Sequence, residues 1–318
     1  MDWIYAGLGL VILLLAGDAL VKGAVNLSLR LGIPALIVSL TIVAFGTSAP
    51  ELLIAIQGIS DGAPGLALGN VVGSNTANIL MVLGLSALIA VFHTSGCDTR
   101  KNYLFMIFAS LLFTAMCFLG PITWVHGIIL LAALGFVLSD AFLDAKSHRK
   151  KSKNGQLEDD LEDIEGADMD MPWWQIGVFM LLGLIGLPLG ANLLVEGAVN
   201  IATDFGVSET VIGLTLVAVG TSLPELATTA MAAMRKQADV ALGNVIGSNM
   251  FNLLAIIGIS SFVGDIPVAE NILRFDIWVM LGASALLLPF VFFKRDITKI
   301  WGMILTALYV GYVVIILV

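Results

Sequence analysis

Charge is scarce in this sequence. Only 12% of its 318 residues are Asp, Glu, Lys or Arg, against 58% hydrophobic, whereas a soluble domain carries about 25% charged residues. It also lacks any basic patch large enough to engage a phosphate backbone, which excludes nucleic acid as a partner. Soluble enzyme classes are excluded on the same composition. Cysteine is limited to Cys97 and Cys117, one near a loop and one in an apolar run, so no disulfide or thiolate framework is expected. The three histidines, His93, His126 and His148, are scattered without ligand spacing and read as loop or interfacial residues. No basic region precedes the opening apolar run "MDWIYAGLGLVILLL", which is expected to be a retained helix and not a cleaved signal.

Long apolar runs are what the sequence has instead. Ten of them fall at about 3–29, 34–59, 63–92, 103–119, 122–143, 173–203, 207–233, 238–263, 273–293 and 298–317. Several exceed the roughly 18–20 residues that cross a bilayer as a helix. The expected fold is therefore an all-α integral membrane protein of ten transmembrane helices. One long polar stretch, 144–171, begins basic and ends acidic, and reads as a solvated linker. Its acidic end accounts for much of the net charge of −9.

Cationic residues set the orientation. With 144–171 in the cytoplasm, Arg30, Arg100, Lys101, Arg235, Lys236, Lys294, Arg295 and Lys299 all fall in cytoplasmic loops, and Arg274 alone lies opposite. Such asymmetry is the positive-inside pattern. It places both termini on the non-cytoplasmic side.

The two halves repeat. "LTIVAFGTSAPEL" at 40–52 matches "LTLVAVGTSLPEL" at 214–226, "ALGNVVGSNTANIL" at 67–80 matches "ALGNVIGSNMFNLL" at 241–254, and "VKGAVN" at 21–26 matches "VEGAVN" at 195–200. All three pairs share an offset of 174 (224 minus 50, for example). Five helices per half make the second repeat enter the membrane with opposite polarity. The expected organisation is a first inverted repeat at 1–143, a cytoplasmic linker at 144–171 and a second repeat at 172–318. Inverted repeats of this kind are the architecture of secondary transporters, with the site at the repeat interface near the midplane.

Glu51 and Glu225 mark that site. A carboxylate at mid-membrane costs about 2.5–3.5 kcal/mol or more unless it is paired, neutralised or set in a wet cavity. From the second segment onward no Lys or Arg lies mid-segment to pair with either, so the compensating cation is expected to be the substrate. Pro50 and Pro224 lack an N–H and release the carbonyls of Gly46 and Gly220. Thr47 and Ser48, then Thr221 and Ser222, add hydroxyls beside each acid. Ser74 with Asn78, and Ser248 with Asn252, place further oxygens four residues apart on one helix face. Gly69, Gly73, Gly243 and Gly247 permit close helix approach. Asn75 and Asn249 lie off that face and are read as braces of the backbone. Asp18, which aligns with Asn192, reads as a polar position that is either interfacial or in helix packing. These donors are all hard oxygen, suited to Ca²⁺ or Na⁺ and not to soft metals. They leave open a Ca²⁺ exchanger coupled to Na⁺, H⁺ or K⁺, a cation channel, or an intramembrane hydrolase using the two acids.

At "GTSAPE…GNVVGSNTAN" and "GTSLPE…GNVIGSNMFN" the sequence resembles the cation/calcium exchanger superfamily, specifically the prokaryotic sodium/calcium exchangers. The resemblance covers nearly the whole chain. It implies a ten-helix antiporter with Glu51 and Glu225 as central Ca²⁺ and Na⁺ ligands. It further implies Thr47, Ser48, Ser74, Thr221, Ser222 and Ser248 as ligands, with carbonyls near Ala44 and Ala218, and Asn78 and Asn252 completing the middle. Segments one and six would be a long tilted pair that slides across the core. Some relatives carry an aspartate where this chain has Asn252, so the site here holds two acids and not three. The expected partners are Ca²⁺ and Na⁺ as substrates and the lipid bilayer, with no cofactor, no enzymatic activity and no obligate protein partner expected. A compact chain without an organelle-targeting signal is expected in a prokaryotic cytoplasmic (inner) membrane.

Overall fold

In lipid no water satisfies the backbone, so each polar main-chain group must bond within its own helix. The computed structural model follows that constraint. It describes residues 2–153, 168, 170–206 and 218–317, and among these there is no strand, only two isolated bridges. The helices are α1 (Asp2–Leu31), α2 (Ala35–Thr47), α3 (Ala49–Ser60), α4 (Pro64–Ile89), α5 (Arg100–Leu119), α6 (Trp124–Lys153), α7 (Trp173–Asp204), α8 (Ala218–Thr221), α9 (Leu223–Met234), α10 (Ala238–Ser260), α11 (Ile272–Phe292) and α12 (Lys299–Leu317). Eight of them are long and apolar enough to cross a membrane, and α2 with α3, bent by 40°, makes a ninth among the described residues. The chain is an integral membrane protein. The expected seventh segment, 207–233, falls partly outside the described residues.

α1 and α7 form the most extensive helix pair. They have 30 and 32 residues, about 45–48 Å at 1.5 Å per residue, so each must tilt to fit a hydrocarbon core of about 30 Å. Glycine lets their backbones touch. A Cβ on Gly190 would lie 2.8 Å from Leu13 N, and one on Gly197 would lie 2.6 Å from Ala6 N. Asp18 ties α1 to the end of α9 through an ion pair with Arg235 at 2.6 Å. Its place in helix packing is thereby explained.

α4 and α10 run through the interior. The most apolar stretch of α10 is wholly buried, and that of α4 is 78% buried. Each contains a π-turn that starts on an asparagine, Asn78–Val82 and Asn252–Ile256. α2 and α3 are interrupted at Ser48 (φ −86°, ψ 4°), and α8 and α9 at Ser222 (φ −89°, ψ 6°). In both places the proline two residues on sits in the first turn of the next helix, where its missing N–H costs nothing. The expected broken helices are therefore present. The 174-residue spacing also reaches helices beyond the sequence motifs: Met106, Ala109 and Ser110 of α5 and Met280, Ala283 and Ser284 of α11 are all buried.

Loops meet in two sets. At one end, Phe92 bridges Ile297, His93 meets Asp296 at 2.8 Å, Lys101 meets Asp144 at 2.8 Å and Arg30 donates to Met171 O. At the other, Ile122 bridges Ile266 and Asn200 donates to Asp2.

Two boundaries differ from expectation. α6 continues through Lys153, ten residues past the apolar run, because "AKSHRKKSK" is rich in good helix formers and a helix in water needs no apolar face. Residues 154–167 and 169 of the expected linker lie outside the described residues. The ninth segment is broken at Leu287, two residues before Pro289. Both cysteines are buried and free, as expected. Burial, reinforced by neighbouring Asp239, pushes the Cys97 thiol upward and keeps it an unreactive thiol at neutral pH.

The α1–α7 contact makes a stability prediction. Gly190→Val forces a branched side chain against the α1 backbone and is expected to cost about 1–3 kcal/mol. It is read as a lower Tm in detergent. Gly7→Val, where an added Cβ meets nothing within 4 Å among the described residues, should leave Tm unchanged.

Candidate functional site

The two helix breaks and the two π-turns converge on one buried polar cluster. Glu51 is 1% exposed and Glu225 is fully buried. Each lies in the first turn of the helix after its break, where the helix dipole favours negative charge. Glu225 reaches across to the first break, where Ser48, three residues before Glu51, donates to it.

The acids differ in what surrounds them. Glu225 Oε1 accepts from Ser48 Oγ at 3.1 Å and Ser248 Oγ at 3.5 Å. Thr47 Oγ1 lies 3.3 Å from both Ser248 Oγ and Asn244 Oδ1, and donates to Ala44 O at 3.2 Å. The Ala44 carbonyl also accepts from Ser48 N, so it is already bonded in this state. Thr221 approaches Asn70 Oδ1 at 3.5 Å. Ala218 opens α8 and is the first described residue of its segment. Ser74 and Ser222 are both buried beside the cluster.

Four asparagines build the middle. Asn78 Nδ2 donates to Asn249 Oδ1, and Asn252 Nδ2 donates to Asn75 Oδ1, both at 3.0 Å. Asn75 Nδ2 donates to Asn249 O at 3.2 Å, and Asn249 Nδ2 to Asn75 O at 3.3 Å. The braces expected at 75 and 249 thus reach across between α4 and α10. Their effect is to occupy the amide nitrogens of Asn78 and Asn252 and leave the amide oxygens uncommitted. Among the described residues nothing donates to Asn78 Oδ1, Asn252 Oδ1, either oxygen of Glu51, Glu225 Oε2 or Ser222 Oγ. Buried acceptors without donors are rare and costly. A cluster of them around two carboxylates has the chemistry that a hard cation seeks, since Ca²⁺ takes about 6–8 oxygens.

A cavity of about 430 Å³ reaches this cluster from one end. It starts at Gly65, Ala269 and Ile316 and runs inward to Asn70, Ser74 and Thr221. The related positions on the other half are closed. Ser248 bonds Thr47, and a Cβ on Gly247 would meet Leu40 O at 2.5 Å and Ala44 Cβ at 2.7 Å.

Sequence reasoning brought most of these residues together but passed over Asn70 and Asn244. Both sit in the repeated "ALGN" that it had matched, and Asn244 carries bonds to Thr229 Oγ1 at 3.1 Å and Glu225 O at 3.4 Å.

Fold and cluster define a class: an integral membrane protein of broken helices with an internal cluster of acids and amides, reached by a cavity from one end. Residues 1–141 and 176–318 match the family model described as sodium/calcium exchanger protein. The chain is 32% identical over 336 residues to the sodium/calcium exchanger MaX1 of Methanosarcina acetivorans, covering 97% of this chain and 96% of that one. It is 32% identical over 257 residues to the inner membrane protein YrbG of Escherichia coli, covering 80% and 78%. Its fold matches the sodium-calcium exchanger NCX_Mj, in a structure soaked with 2.5 mM Na⁺ and 0.1 mM Ca²⁺, with a TM-score of 0.79 at 32% identity over 98% of this chain and 97% of that one. The chain belongs to the sodium/calcium exchanger family.

The asparagine clamp can be tested apart from the acids. Asn249→Ala removes the acceptor that fixes Asn78, and outer-sphere losses of this kind weaken cation binding about 10–100-fold. Calorimetric titration of the purified protein with Ca²⁺ should show that loss with the helical far-UV spectrum intact. Unchanged affinity would make the clamp purely structural.

Proposed function

We propose that this chain exchanges Ca²⁺ for Na⁺ across the membrane by alternating access, with Glu51 and Glu225 as the central ligands of both ions. The observation that carries the reading is that both oxygens of Glu51, Oε2 of Glu225 and the amide oxygens of Asn78 and Asn252 have no donor among the described residues. Thr47, Ser48, Ser74, Thr221, Ser222 and Ser248 supply hydroxyls, and the carbonyls at Ala44 and Ala218 complete the set. Two carboxylates balance one divalent or two monovalent cations. Occupancy by one kind therefore excludes the other, which is the physical root of exchange.

The proposed architecture is ten crossings in two inverted repeats, 1–143 and 172–318, joined by a cytoplasmic linker at 144–171. Several pairings support it. The π-turns start 174 residues apart (252 minus 78). The bridge Phe92–Ile297 has its counterpart in Ile266–Ile122, with spacings of 174 (266 minus 92) and 175 (297 minus 122). The loops expected on one side of the membrane are the ones that touch each other. A prokaryotic cytoplasmic membrane, with both termini outside, fits the positive-inside pattern. The cavity then faces the non-cytoplasmic side while the cytoplasmic side is sealed at Gly247, and exchange of those two conditions moves the ion. The long α1–α7 pair is the element that slides.

Ca²⁺ uptake into liposomes loaded with Na⁺ and diluted into Na⁺-free buffer tests this. Uptake should require internal Na⁺ and fall to background in Glu51→Gln and in Glu225→Gln. Uptake driven instead by a pH or K⁺ gradient would replace the coupling ion and keep the site. Dissipation of a Ca²⁺ gradient without any counter-ion would make the protein a channel.

A further inference from the structure

The wall of the cavity opposite α4 carries a third acid. Asp276 ends the π-turn Ile272–Asp276 that opens α11, and it is the one charged side chain among the described residues lining the cavity. Its Oδ1 accepts from Tyr312 Oη of α12 at 3.0 Å. Tyr312 is itself 8% exposed and stacked on Phe275 at 6.0 Å between ring centroids, so the carboxylate is held on a rigid support. No Lys or Arg pairs with Asp276 among the described residues. Arg274, two residues away, is committed to Glu270 on the exposed face. Asp276 thus presents an uncompensated negative charge, partly open to the cavity, on the same wall that leads to Ser74 and Thr221.

A fixed charge in a cleft with low-dielectric walls raises the local concentration of counter-ions and speeds their capture. One carboxylate and a few amide oxygens are too few to hold a dehydrated Ca²⁺. The arrangement is suited to brief capture of a hydrated cation, which must bind well enough to arrive and loosely enough to move on. On the 174-residue spacing the counterpart of Asp276 is Asn102 (276 minus 174), which is neutral, so the device belongs to one side only.

We propose that Asp276, positioned by Tyr312, is an outer capture station for the hydrated hard cation on its way from the open side to Glu51 and Glu225. The proposal rests on the exchange reading above, and the test separates the two. Half-saturating Ca²⁺ is measured from each side of the full-length protein in proteoliposomes of defined orientation. Asp276→Asn should raise it about 3–10-fold on the cavity side, at or below the low end of the 10–10³-fold that a whole charged cleft supplies, as suits a single charge, and leave the opposite side and the maximal rate unchanged. The difference from wild type should shrink as ionic strength rises, and Asp276→Glu should restore most of it. Tyr312→Phe keeps the ring packing and removes only the supporting hydroxyl, so it should give a smaller rise on the same side. Unchanged half-saturation on the cavity side would overturn the station, as would an equal rise on both sides, which is the mark of a structural role. If wild type moves Na⁺ but no Ca²⁺, the exchange reading is what fails, and the same sided comparison on Na⁺ flux decides the station.

Discussion

Two carboxylates that cannot both be charged and alone in the middle of a membrane govern this structure. Their like charge and the loss of water oppose burial, and among the described residues no basic side chain pairs with either. Everything nearby follows from having to place them there. The helices are cut at Ser48 and Ser222 so that each acid falls in a first turn. Four asparagines tie up one another's amide nitrogens and leave the amide oxygens of Asn78 and Asn252 without donors among the described residues. Buried acceptors left without donors are costly in the absence of a cation.

Symmetry solves the problem twice. Each half supplies one proline-marked break, one π-turn that starts on an asparagine and one acid, and the two sets face each other. The halves are not used identically in this state. Glu225 takes hydrogen bonds from Ser48 and Ser248, whereas both oxygens of Glu51 have no donor among the described residues. The cavity reaches the residues near Asn70 and Thr221, while Thr47 and Ser248 are bonded to each other. A pair of equivalent halves held in unequal conditions is what a protein needs if it is to present one site to two sides in turn.

Much of this was legible in the sequence, because the membrane removes alternatives. An apolar run has only the helix available to it, and an intramembrane Glu after Pro, found twice at one spacing, has few uses besides cation binding. Legibility failed where position depends on three-dimensional neighbours. Asn75 and Asn249, off the Ser74/Asn78 face, were legible as braces, but that each clamps the opposite helix appears only when α4 and α10 are seen to cross. Asn70 and Asn244 were inside a matched motif, yet nothing in one dimension separates a buried bridging amide from a spacer. Asp276 lies in a helix that carries no repeated motif, and its meaning depends on a cavity wall shared with α4 and α12. The end of α6 was missed for a different reason: apolar periodicity ends where lipid ends, but a lysine-rich helix continues into water.

The central claim is that Ca²⁺ and Na⁺ compete for one pair of carboxylates. Equilibrium Ca²⁺ binding to the purified protein, measured by calorimetry at increasing Na⁺, tests it most directly. The account predicts an apparent Kd for Ca²⁺ that rises steadily with Na⁺ at constant stoichiometry, and no binding in Glu51→Gln. Ca²⁺ binding that is indifferent to Na⁺, or that survives intact in Glu51→Gln, would contradict it.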